Sequence, residues 1–142
     1  MNNFLIDWCL ENNLNTIVIG YNEGWKTEIN IGKKNNQNFV GIPLHKLKWI
    51  VEYNCLKNGL NFETHEEAYT SKCSFLDLEP IKRHENYVGE RIKRGLFRSS
   101  DGSLINSDVN GSLNILRKAV PAAFANGIEG VAVHPERIKS FK

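Results

Sequence analysis

Three acids in this sequence stand where carboxylates are able to gather. Glu66 and Glu67 come after the segment LNFETH, and Asp108 opens the segment DVNGSLNILRKA. In open parallel sheets, ligands collect beyond the carboxyl ends of the strands. Two acids brought there from distant positions can hold a hard cation such as Mg²⁺, which takes oxygen ligands and keeps several waters. Enzymes that cut phosphodiesters use such ions in pairs, about 4 Å apart, to activate water and stabilise the leaving oxygen. Each acid also has an ordinary reading. An Asp that opens a helix commonly caps it or complements its dipole, and a Glu pair after a strand is commonly solvated surface. On residue types alone both readings stay open.

A second group is basic. Lys82, Arg83, Arg91, Lys93, Arg94 and Arg98 face only Glu85 and Glu90 in the same stretch, and Tyr87 and Phe97 interleave them. Such a patch grips phosphates without reading sequence, although a merely solvated basic loop has the same composition. Over the whole chain, 18 Lys and Arg against 16 Asp and Glu leave only +2, too little to establish a nucleic-acid partner. The cysteines Cys9, Cys55 and Cys73 are odd in number and far apart. That argues against a disulfide framework and for a reducing, cytoplasmic setting. His45, His65, His84 and His134 are scattered, with no metal-ligand spacing. No apolar run approaches the roughly 20 residues that cross a bilayer, and no signal-peptide pattern opens the chain.

The elements that must position these groups are read from periodicity, in a chain whose 142 residues suit one domain. Asn2 to Asn13 reads as a helix with Phe4, Leu5, Trp8, Cys9 and Leu10 on one side. Leu14 to Gly20 is β-branched and apolar, as in a parallel strand covered on both faces. Tyr21 to Phe39 reads as a long polar loop. Pro43 suits a first helical position; the apolar stripe Leu44, Leu47, Ile50, Val51 and Leu56 continues from it, and Asn58-Gly59 closes the helix. Leu60 to His65 alternates as a second strand. Strand, helix, strand in this order implies a right-handed parallel crossover. Residues 66–98 are irregular, with no helix expected. Arg91 to Phe97, the turn Ser99-Ser100-Asp101-Gly102 and Ser103 to Ile105 read as a hairpin. Asp108 to Ala119 reads as a final helix with charges matching its dipole. The fold class is α/β with a small β insertion.

The segments EEAYTSKCSFLD (66–77), IKRGLFRSSDG (92–102) and INSDVNGSLNILRKA (105–119) together resemble the TnpB/OrfB family of transposon-encoded proteins, relatives of the type V CRISPR effectors. TIVIGYN (16–22) and NNQNFVGIPLHKL (35–47) fit the same family, so the resemblance spans nearly the whole chain in order and spacing. It implies that residues 1–142 are the C-terminal portion of a RuvC-type, RNase H-like nuclease domain, with 73–105 a zinc-ribbon-like insertion. The implied activity is RNA-guided, Mg²⁺-dependent DNA cleavage at a site of three acids. The family's third acid maps onto Asp108. Its second usually ends the strand that matches TIVIG, where Gly20 stands here; Glu67 is the substitute, with Glu66 less favoured. The first acid belongs upstream of Met1, as do the regions that bind guide RNA and target.

The insertion departs from the family pattern of two C-x-x-C pairs. Cys73 stands alone, Leu76 takes its partner's place, and Ser99 and Asp101 stand for the second pair. One thiolate makes no structural zinc site, so a zinc-free insertion held by Phe75, Leu78, Leu96 and Phe97 is expected. The resulting reading is a truncated nuclease domain that binds nucleic acid without cutting alone. The alternatives are a nuclease subunit completed in trans by an upstream half, and a non-enzymatic nucleic-acid-binding module.

Overall fold

The computed structural model describes residues 4–22 and 44–136. The expected loop of 21–39 and the start of the next helix at Pro43 therefore lie almost wholly outside the described residues. The chain divides into two compact units, residues 1–66 and 67–142. The architecture is α/β: a two-stranded parallel sheet, a small antiparallel sheet and three α-helices among the described residues. No helix of the described residues is long and apolar enough to cross a membrane.

In the first unit, α1 (Phe4–Glu11) leads to β1 (Thr16–Tyr21), α2 (Leu44–Lys57) and β2 (Asn61–Glu66). The expected parallel pairing is present, in register from Thr16 opposite Asn61 to Tyr21 opposite Glu66. Gly59, with φ of 72°, lets the chain leave α2 in the left-handed region that a side chain would resist. The core is small: Ile6, Cys9, Cys55 and Leu60 are buried, with Ile17, Val51 and Phe62 against them. An eight-residue helix offers only one narrow stripe, and in α1 that stripe is Ile6 and Cys9. Leu5, Trp8 and Leu10, expected on the buried side, are exposed. In α2 the inward positions are Val51 and Cys55, one turn apart, whereas Leu44, Leu47 and Leu56 are exposed. β1 is half-buried throughout rather than closed on both faces, since among the described residues it has one neighbouring strand.

The second unit is built on an antiparallel sheet in the order β3 (Glu90–Lys93), β4 (Leu96–Arg98), β5 (Leu104–Asn106). Arg91 to Phe97 is therefore two strands, not one. Gly95, with φ of 77°, turns the chain sharply after Arg94, and a register shift lies between Arg91 and Lys93. α3 (Ser107–Ala119) continues directly from β5, and a short 3₁₀ turn covers Pro121–Phe124. Phe75, Phe97 and Ile105 form the buried centre, with Leu76, Val109 and Leu113 among the residues packed on it. Phe124 meets Phe75 edge-on at 4.9 Å. Phe75 and Phe97 thus hold the insertion as expected, but Leu78 does not. It is 46% exposed at φ 50°, a backbone turn that directs it outward, and Leu76 packs in its stead. Gly89 is required by proximity: a Cβ there would meet the Phe97 ring at 2.5 Å.

Candidate functional site

The segment that leaves β2 is shaped by its own backbone. The Thr70 amide and hydroxyl both donate to the Glu67 carbonyl, at 3.2 and 2.7 Å, closing a turn directly after the strand. Two asparagines one turn apart on α3 clamp the stretch from Thr70 to Phe75. Asn110 Oδ1 accepts from the Phe75 amide at 2.8 Å, and its Nδ2 donates to the Cys73 carbonyl at 2.9 Å. Asn114 Nδ2 donates to the carbonyls of Thr70 and Cys73, at 2.9 and 2.8 Å. Both side chains are fully buried. Asparagine is a poor residue for a helix interior. Its recurrence at a four-residue interval in DVNGSLN is the signal that a hydrophobic reading of that helix passes over.

Asp108 lies in the first turn of α3 but does not cap it. The cap is Asn106, whose Oδ1 accepts from the amides of Asp108 and Val109 at 2.9 and 3.1 Å. The Asp108 carboxylate is exposed and makes no hydrogen bond or ion pair among the described residues. The helix start favours its charge. Glu67 is half-buried, one residue past β2, while Glu66 is the last residue of the strand itself. The bonds that tie the Glu67 turn to α3 land on Asn114, six residues or about 9 Å along the helix from Asp108. Among the described residues no group of three His, Cys, Asp or Glu side chains is placed to hold a metal ion.

The basic residues all reach solvent: Lys82 and Arg83 from an irregular loop, Arg91 and Lys93 from β3, Arg94 from the turn, Arg98 from β4. Arg98 is neutralised by Glu90, its direct cross-strand partner. No ion pair engages the other five among the described residues. Phe97, expected to interleave this charge, is only 2% exposed and belongs to the core, because strand alternation from the Gly95 turn sends it inward beside Ile105. Tyr87 is half-buried and meets His84 edge-on at 5.3 Å. A cleft of about 560 Å³ lies between Tyr87–Glu90 and Arg98–Gly102.

Cys73, Ser99 and Asp101, which the sequence resemblance sets against zinc-ligand positions, are engaged in hydrogen bonds. Cys73 is fully buried, and its Sγ points at the carbonyls of Pro80 and Lys82 at 3.5 and 3.6 Å. Burial pushes its thiol pKa up. Ser99 Oγ donates to Asp101 Oδ1 at 2.6 Å, and Asp101 also accepts from the Ser103 amide at 2.9 Å. These bonds lower the Asp101 pKa to about 2. Asp77 accepts from both the amide and the hydroxyl of Ser100. Burial opposes its charge, but the bonds from Ser100 and Ser74 outweigh that and hold its carboxyl below the usual range. Glu79, a buried carboxylate, accepts from the amides of Ser74 and Val88 at 2.7 and 3.1 Å, with His84 at 3.8 Å. Arg117 of α3 donates to its carbonyl.

The family model described as the Cas12f1-like TNB domain matches residues 45–115, half of the chain. The matched stretch runs from α2 into α3 and includes Glu67, Asp108 and the whole basic set. No curated protein matches the chain.

Proposed function

The chain belongs to the Cas12f1-like family by its TNB domain, and on that premise we propose that it is a TnpB-like nucleic-acid-binding protein. In this reading the segment 82–98 grips the phosphate backbone of DNA or RNA, guide RNA included. The observation that carries it is the set Lys82, Arg83, Arg91, Lys93 and Arg94: five exposed cations that no described acid neutralises, on a framework closed by its own hydrogen bonds. Exposed, unpaired cations give counterion release its full effect, so binding is salt-sensitive and independent of sequence. With Phe97 in the core, base stacking contributes little on this surface.

The finer reading is that of a transposon-associated, RuvC-type nuclease portion. Asp108 and Glu67 would be its Mg²⁺ ligands, and the ion would supply an activated water and charge for the leaving oxygen. The freedom of the Asp108 carboxylate from capping supports its share of that role. In this reading Asp108 and Glu67 supply only two of the three acids that the family's site uses, so this chain binds without cutting alone. It cuts only if another polypeptide, such as the upstream half of a TnpB-like protein, completes the site; otherwise it acts as a non-enzymatic binding module. Zinc has no part, since buried Cys73 stands by itself. Three free thiols suit a reducing cytoplasm.

The test incubates the purified chain with labelled single-stranded and duplex DNA in Mg²⁺, beside an Asp108→Ala variant. Retention of both substrates without cleavage, equal in the two proteins, is expected. Cleavage abolished by the substitution overturns the non-cutting reading, and absence of any retention overturns nucleic-acid binding.

A further inference from the structure

The outward face of α2 carries an arrangement that neither its core packing nor the basic segment explains. Val51 and Cys55 turn inward, and on the opposite side Trp49, Tyr53 and Leu56 are 63%, 54% and 71% exposed. A helix that leaves three large apolar side chains in water forgoes their burial, and scattered single residues of this kind are common. These are not scattered. The Trp49 and Tyr53 rings stack at 5.8 Å with 18° between their planes, which orders the pair. Lys46 lies three residues before Trp49 and Lys57 four residues after Tyr53. The spacing 46, 49, 53, 57 keeps all four on one side of the helix, along about 16 Å of its axis. Both lysines are exposed and have no ion pair among the described residues. The one acid of α2, Glu52, is half-buried on the flank of this row.

We propose that this row, Lys46–Trp49–Tyr53–Lys57, is a stacking platform for single-stranded nucleic acid. Bases stack on the open faces of the aromatic pair, and the two lysines hold the phosphates on either side. Charge decides against a protein occupant: the centres of protein–protein interfaces are depleted in lysine, whereas aromatic faces bracketed by cations are how single strands are held without sequence preference. A duplex keeps its bases stacked inside and can use only the lysines. The platform rests on the nucleic-acid reading above and adds to it a surface selective for strandedness.

The experiment compares the wild-type chain, a Trp49→Ala/Tyr53→Ala variant and an Arg91→Ala/Lys93→Ala variant, each with labelled oligothymidine, oligouridine and a mixed-sequence duplex at fixed salt. The aromatic double variant is expected to lose about tenfold or more in affinity for both single strands while keeping duplex affinity within about twofold. The basic double variant is expected to lose affinity for all three. Trp49→Phe, which keeps a ring, retains most single-strand binding, and unchanged far-ultraviolet circular dichroism separates lost contact from lost folding. If the wild-type chain binds single strands and the aromatic variant binds them equally well, the platform is overturned while nucleic-acid binding stands. A wild-type chain that binds none of the probes overturns both. Self-association abolished by the aromatic variant, with single-strand binding unchanged, assigns this face to a second copy and overturns the proposal.

Discussion

The two units of this chain are held by different chemistry. Residues 1–66 rest on a few apolar side chains, Ile6, Cys9, Cys55 and Leu60, and leave Trp8, Leu10, Trp49 and Leu56 in solvent. Residues 67–142 also have an apolar centre, Phe75, Phe97 and Ile105, but buried polar groups surround it: Thr70, Ser74, Glu79, Ser99, Asn110 and Asn114. Each of these is bonded to backbone, so the polar groups fix where the chain runs. The loop-rich unit specifies its path by satisfying main-chain donors and acceptors one at a time. A strand–helix–strand crossover satisfies them wholesale and needs only a periodic apolar face.

The largest effect is expected at Phe97. Replacing it by alanine should lower unfolding stability by about 3–5 kcal/mol, measured by denaturant titration, because the ring is buried against Ile105 and Phe75. A loss below about 1 kcal/mol would return Phe97 to the surface role that its basic neighbours suggest. Next in size is Asn110→Ala, at about 2–4 kcal/mol, because it strands the Phe75 amide and takes one of two donors from the Cys73 carbonyl. If it were as mild as an exposed substitution, the polar clamp would not separate the two units. The smallest effect is acid sensitivity. Asp77 and Asp101 are both more acidic in the folded chain than their ordinary 3.8. Their stabilisation is complete above that value and is lost as pH falls through the folded values, to about 2 for Asp101. Thermal unfolding followed from about pH 5 downward should steepen in that window, and an Asp77→Asn/Asp101→Asn variant should flatten it.

The same contrast governs what was legible in the sequence. The parallel strands and α2 announced themselves through β-branched runs, alternation and the Asn58-Gly59 stop, and their pairing is as expected. The side of α1 and α2 that faces inward was not legible, because both helices carry apolar residues nearly all round and only the partner surface selects a stripe. The break between β3 and β4 was hidden within RIKRGLF, where a single glycine, with φ of 77°, ends the strand. Buried Glu79, Asn110 and Asn114 ran against the ordinary exposure of their residue types. At the site, Asp108 was correctly placed in the first turn of the last helix, yet INSD offers three capping candidates and Asn106 takes the role. The exposure of the six cations was readable from composition; the pairing of Arg98 with Glu90 needed the register.

Phosphates held by the exposed cations of the second unit are counted by the salt dependence of binding. Affinity for a labelled duplex is measured from low to moderate salt for the wild-type chain and for Lys93→Ala/Arg94→Ala, with log K plotted against log salt. Two lost phosphate contacts should make the slope shallower by about 1.8, with weaker binding at every salt concentration. An unchanged slope would show that Lys93 and Arg94 hold no phosphate.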